Sequence, residues 1–287
     1  MAHQERKKIM KTWKKVVLGI SLISVFLGGG LAIWGYSHGA LTDLQNQPKN
    51  DLDFVKKEVN DFNRMDIKSN SYNILIKTGN VSKATITYYQ KKKNPIDITV
   101  KERQLSINEN YSDKSLTSHN HFNLFGLKDL INLSTLNESN TIIITLPKKQ
   151  TIDFLKADLA SGNLDLNNST IKQSNIDLKV GDLTFTEMTV NNLEAHLAVG
   201  SVESNDTLFA NSDLSITLGD YTGNNLVFNG HNKLDVTSGD VEISLKNHTV
   251  NVQADSHSGE TEITNNLKNS KDNTLTITSD LGDIYIE

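Results

Sequence analysis

Beyond residue 150 the apolar residues fall at every second position, in short runs separated by polar corners. Leu193, Ala195 and Leu197 form one run, and Leu214, Ile216 and Leu218 the next. Leu234 and Val236 lead to Val241, Ile243 and Leu245, and Leu275 and Ile277 to Ile284 and Ile286. Alternation of period two sends these side chains to one face of a strand and the intervening Asp, Asn, Thr and Ser to the other. Helix is disfavoured by that alternation, by the β-branched and Asn-rich composition, and by a glycine in every unit.

Those glycines stand at 162, 181, 200, 219, 239, 259 and 282, at intervals of 19, 19, 19, 20, 20 and 23. A fixed period of this size marks a solenoid. The flanking segments align as well: Leu178-Lys-Val-Gly-Asp-Leu-Thr-Phe185, Leu197-Ala-Val-Gly-Ser-Val-Glu-Ser204 and Ile216-Thr-Leu-Gly-Asp-Tyr-Thr-Gly223. A unit this short cannot hold a βαβ element, and no paired Asn-Gly hairpins recur. The pattern predicts all-β architecture: a parallel β-solenoid over 151–287, with two or three short strands per coil and Gly-Asp corners. Coils would lie about 4.8 Å apart, placing Ile216 between Leu197 and Val236. An antiparallel β-sandwich also fits short, regularly spaced strands.

Residues 65–150 read as a β-rich N-terminal part, with strands over 65–67, 73–77, 84–89, 96–100, 104–107 and 141–146. An insertion at 111–139 interrupts them. It is apolar for a loop (Phe122, Phe125, Leu127 and Leu130) and predicts a short helix. Two roles suit it: a cap over the open end of the solenoid, or a contact for a partner or membrane surface. Residues 37–64 read as a polar stalk with one short helix near 51–58.

Upstream, residues 16–36 form an uncharged run of 21 residues, from Val16 to Tyr36. At 1.5 Å per residue this spans a hydrocarbon core of about 30 Å. Trp13 sits at one end and Trp34 and Tyr36 at the other, where amphipathic rings favour the interface. The tail 1–15 carries six cations against Glu5. The positive-inside rule then predicts a single-pass cell-membrane protein with a cytoplasmic N-terminus and an extracellular C-terminal domain. A cleaved signal peptide shares the basic start. Against it stand an apolar run longer than the usual 7–15 residues and His38 at the −3 position of the best cleavage site.

The net charge of −5 hides a strong polarity. Residues 37–150 carry +4, whereas 151–287 carry seven lysines, no arginine and 21 acids, net −14. An acidic solenoid excludes a nucleic-acid role there, because phosphate contact needs a cationic face. It would attract a cationic peptide, another envelope protein with a basic face, or a wall component. Zero cysteines exclude disulfides, a Cys nucleophile and Cys-ligated zinc.

Candidate chemistry concentrates at the corners. Asp182, Asp220, Asp240, Glu260 and Asp283 follow the glycines and would stack as an acidic ligand face, although Asp after Gly is also an ordinary turn former. The Gly-Gly-x-Gly-x-Asp calcium repeat is missing. His119 and His121 make two ligands where a closed metal site needs four. Residues 151–287 contain neither Arg nor Trp, and dispersed carboxylates read as a solvated surface rather than a catalytic pair. The expectation is a protein without catalysis, cofactor or metal.

Leu105-Ser-Ile-Asn108, Thr141-Ile-Ile-Ile-Thr-Leu-Pro147 and Phe154-Leu-Lys-Ala-Asp-Leu-Ala-Ser-Gly-Asn-Leu-Asp-Leu166 occur in that order. This layout resembles an adhesin-like domain-of-unknown-function family of bacterial cell-surface proteins, among them LiaG-like envelope-stress proteins. The resemblance covers about residues 62–287. It implies a cell-surface β-solenoid working beside an envelope-stress regulatory system, and supplies no catalytic residues.

Overall fold

The computed structural model describes residues 52–91, 95–109, 140–148, 150–264 and 267–287. Among them the regular elements are all β-strands, and no helix is long and apolar enough to cross a membrane. The span at 16–36, the basic tail and the insertion 111–139 lie outside the described residues.

The repeat region is a parallel β-solenoid. Alternation fills its interior: Leu197, Ile216 and Val236 stand in register on three successive coils and are 0–2 % exposed. A second column (Leu183, Val202, Tyr221, Val241) does the same on the opposite face. A short third face contributes Val190, Phe209 and Phe228. Inside, Phe185 meets Phe209 edge to face and Phe209 stacks on Phe228, with centroids 5.2 and 5.8 Å apart. Leu218 departs from the expected inward run and is 53 % exposed. It immediately precedes Gly219, where the corner has already turned the chain outward.

The corner glycines lie directly on one another. Gly181 has φ +147°, and a Cβ there would come within 2.1 Å of the Gly162 carbonyl oxygen. Any side chain would collide with backbone of the adjacent coil, so both the dihedral and the close approach demand glycine.

Coils do not stack in sequence order. Going along the stack, the coil of Gln104–Glu109 and Thr141–Pro147 comes first. The coil of Arg64–Ser69 and Asn73–Gly79 comes second, paired in parallel on both sides. At the far end, Thr274–Leu281 and Ile284–Ile286 insert between the coil of 231–245 and that of Asn251–Ser258 and Thr261–Ile263. Among the described residues, the coils of 64–79 and 274–286 are therefore interior layers. Apolar content explains the placement at the far end. Leu275, Ile277, Ile284 and Ile286 are 0–1 % exposed, whereas the outermost coil offers only Val252, Ala254 and Ile263, partly buried.

The two ends differ. At the near end Ile96–Lys101 pairs antiparallel with Gln104–Glu109, and Thr85–Lys91 with Thr141–Pro147. Leu52–Glu58 then pairs antiparallel with Thr85–Lys91. This corrects the short helix expected near 51–58. Phe54 and Val55 sit among residues that alternate across a pairing partner, and Val59 and Phe62 beyond the strand are buried. Antiparallel strands thus close the near end. The far end finishes on a parallel strand pair joined to the stack on one side.

Ile216→Asp should lower stability by about 4 kcal/mol or more, because it buries an unpaired carboxylate. Thr217→Asp, facing solvent, should leave the thermal midpoint almost unchanged. Equal losses in paired melts would refute the alternation.

Asp165 lies on the strand Leu164–Asn167, in register between Leu75 and Thr184. Burial raises its carboxyl above the ordinary range, a Thr184 hydrogen bond opposes this, and the Asp182 charge adds to it. A raised folded value means that its favourable contribution is complete below the unfolded value and is lost as pH rises through the folded one. Asp165→Asn should therefore melt higher than wild type at pH 7, with the difference closing at acidic pH. A constant gap across a pH series of melts would show the assignment to be wrong.

Candidate functional site

The five acids expected as a ligand face do share one corner. Four of them use a carboxylate oxygen to join their coil to the next, and Glu260 contributes only its backbone N–H to this series. Asp182 Oδ1 accepts the Ser201 N–H at 2.9 Å, Asp220 Oδ1 accepts Asp240 N–H at 2.9 Å, and Asp240 Oδ1 accepts Asp283 N–H at 2.8 Å. Asp283 Oδ1 accepts Glu260 N–H at 2.8 Å, which ends the series. Asn73 and Asn163 begin it, through their side-chain oxygens. A turn former bonds its own backbone, whereas these oxygens bind the N–H of the next coil. Among the described residues no group of three or more His, Asp or Glu is placed to hold a metal ion.

Two further corners went unread in the sequence. Asn168, Glu187, Asp206 and Asn225 have φ of 48–58°, and Asn192 and Asn211 have φ of 47° and 58°. Asn and Asp tolerate this left-handed region best after glycine. Their recurrence every 19 residues was the available signal. Their side chains also tie coils together: Asn192 Nδ2 donates to Lys172 O at 3.2 Å, and Asn211 Oδ1 accepts His231 N–H at 3.1 Å.

The larger concave space lies on the outer face and not in the interior. An interior void beside Phe209, Tyr221 and Phe228 measures only about 10 Å³, the lower limit for a single water. On the outer face a shallow groove of about 620 Å³ is lined by Phe154, Gln173, Asn175, Asn192, Glu194 and Asn211, among others. The Arg64 guanidinium lies 5.0 Å from the Phe154 ring centroid. Asn175 Nδ2 donates to Glu194 Oε2 at 3.2 Å. Val180, Val199 and Leu218 form an exposed aliphatic row in register at the glycine corner, with Leu281 beyond Ser238. The contact residues expected in the insertion (Phe122, Phe125, Leu127, Leu130) and His119 and His121 lie outside the described residues.

Since Asn163 performs in its own coil the task of the corner aspartates, Asp240→Asn should keep the link to Asp283. Asp240→Ala should lose about 1 kcal/mol. Urea titrations of the two variants check this, and equal stability would remove the coil-to-coil role from the carboxylate.

The family model described as Toastrack DUF4097 matches residues 62–287. No curated protein matches the chain. Among solved structures, a candidate adhesin from Bacteroides fragilis is similar over 84 % of this chain and 99 % of its own, with 18 % identity and a TM-score of 0.51. That is a likeness of fold. A candidate cell adhesion protein from Clostridium sporogenes is 17 % identical over 82 % of this chain and 98 % of its own, with a TM-score of 0.35. The family match runs from the buried Phe62 through the last interior coil, the whole of the stacked architecture described above, and the chain belongs to the Toastrack DUF4097 family.

Proposed function

We propose that this chain is a single-pass membrane protein that holds its solenoid outside the cell as a non-catalytic binding or signalling accessory of the envelope-stress response. One observation carries the binding reading: the interior is filled, and the side chains that can meet a ligand stand in fixed rows on the outside. Such rows favour an extended partner over a small molecule enclosed in a cavity. The uncharged run 16–36 behind a basic tail supports the anchor. The net charge of −14 over 151–287 supports a cationic partner, with the membrane reached through the N-terminal span. A second reading, an adhesin-like structural surface protein, draws on the fold shared with the Bacteroides fragilis candidate adhesin.

Protease added to wall-stripped cells should degrade residues beyond 37 while the protein stays in the membrane fraction. Protection, or release of a soluble form lacking residues 1–40, would defeat the topology. In a deletion strain, an altered envelope-stress reporter favours the accessory role. Lost attachment with an unchanged reporter favours the adhesin.

A further inference from the structure

The far end of the solenoid is built as an unfinished ladder. In the coil 251–263, Asn251 N–H donates to Asn273 O at 2.9 Å, Glu260 O accepts Ile284 N–H at 2.8 Å, and Thr264 N–H donates to Ile286 O at 2.8 Å. In a parallel ladder each residue turns both backbone groups to one side and its neighbour turns both to the other. Asn251, Gln253, Asp255 and His257 therefore face the stack, as do Glu260 and Glu262. Val252, Ala254, Ser256, Thr261 and Ile263 point their N–H and C=O groups along the open side.

The core is unfinished there too. Val252, Ala254, Ile263 and Leu267 are only partly buried, directly above a layer 0–1 % exposed. At the opposite end antiparallel strands cover the equivalent surface. The carboxylate-to-N–H series of the glycine corner also stops in this coil, at Glu260.

We propose that the coil 251–263 accepts an extended cationic strand from a partner polypeptide, which pairs with the open edge and lays alternate apolar side chains over Val252, Ala254 and Ile263. Charge selects the occupant. The coil carries Asp255, Glu260 and Glu262 and no Lys or Arg, with His257 between them. Lys268 and Lys271 lie on the loop that follows. Two copies meeting edge to edge would oppose these acids, whereas a strand bearing alternate Lys or Arg would neutralise them. Main-chain pairing supplies affinity in this mode, and alternate side chains supply selectivity. The inference deepens the binding reading and names its partner class. It does not depend on membrane topology.

The probe is a fluorescein-labelled decapeptide of alternating Val and Lys, added to the full-length protein in detergent. A Val-Glu peptide of the same pattern is the control. Saturable binding of the Val-Lys peptide, weakening with salt, is expected, with at least tenfold preference over Val-Glu. Ala254→Pro removes one outward N–H that the fold does not use, and should weaken binding at least tenfold with an unchanged melting midpoint. Hydrogen exchange on the wild type is the measurement independent of any variant: the peptide should protect the amides of 252, 254 and 256. Exchange protection elsewhere on the solenoid alone, equal binding of Val-Glu, or full binding by a folded Ala254→Pro protein would overturn the proposal. So would concentration-dependent self-association through this edge that excludes the peptide. Because purified protein is used, failure here leaves the protease result on cells standing, and the reverse also holds.

Discussion

The carbonyl oxygen of one corner glycine lies where a Cβ on the next would have to be. From Gly162 to Gly282 that approach is 1.9–2.1 Å at each step in which two corner glycines are stacked. It is the tightest constraint on the molecule, and it leaves one register for each coil. A shift by a single residue would bring Asp or Val into the corner and drive every inward side chain to solvent. With the corner fixed, the interior columns align, the aromatic stack forms, and the acid after each glycine meets the next backbone N–H. The 19-residue spacing is the contour of one circuit between such contacts.

Rigid register has a second result on the outer surface. Side chains one coil apart are held about 4.8 Å apart, so chemistry repeats along the stack rather than converging on a point. Asn175 meets Glu194, His196 meets Ser215, and Thr278 meets Asp235 across neighbouring coils. Convergence of several groups on one reacting atom is hard to build on such a face. Recognition of something long is easy.

Local chemistry was legible in the sequence wherever it depended on nearest neighbours. Alternation identified Leu197, Ile216 and Val236 as core, and the glycine period identified the coil. Leu218 was misread because alternation continues through it on paper while the chain bends at Gly219. The strand Leu52–Glu58 was misread because Asp53, Lys56 and Lys57 resemble a solvated helix, and its partner residues lie 27 to 39 positions downstream. The left-handed corners at Asn168 and Asn192 were hidden among many other asparagines. Coil order was the hardest to see, because hydrogen bonding is equally satisfied by either sequence of layers. Only the poor apolar content of Val252, Ala254 and Ser256, beside that of Leu275, Ile277 and Ile284, distinguishes them. The glycine period made the shared corner of the acids legible, but not their bonds to the following coil.

The intercalated last coil sets an order of events during biosynthesis. When residues 251–263 have left the ribosome, the layer they must rest on is still unmade, since Thr274–Leu281 and Ile284–Ile286 are synthesised after them. The outermost coil has to wait for residues 274–286, or release its place to them. Completion of the solenoid therefore requires that synthesis has passed Ile286. A chain terminated early would lack an interior plate rather than a frayed tip, leaving the outermost coil without its support and marking the product for proteolysis.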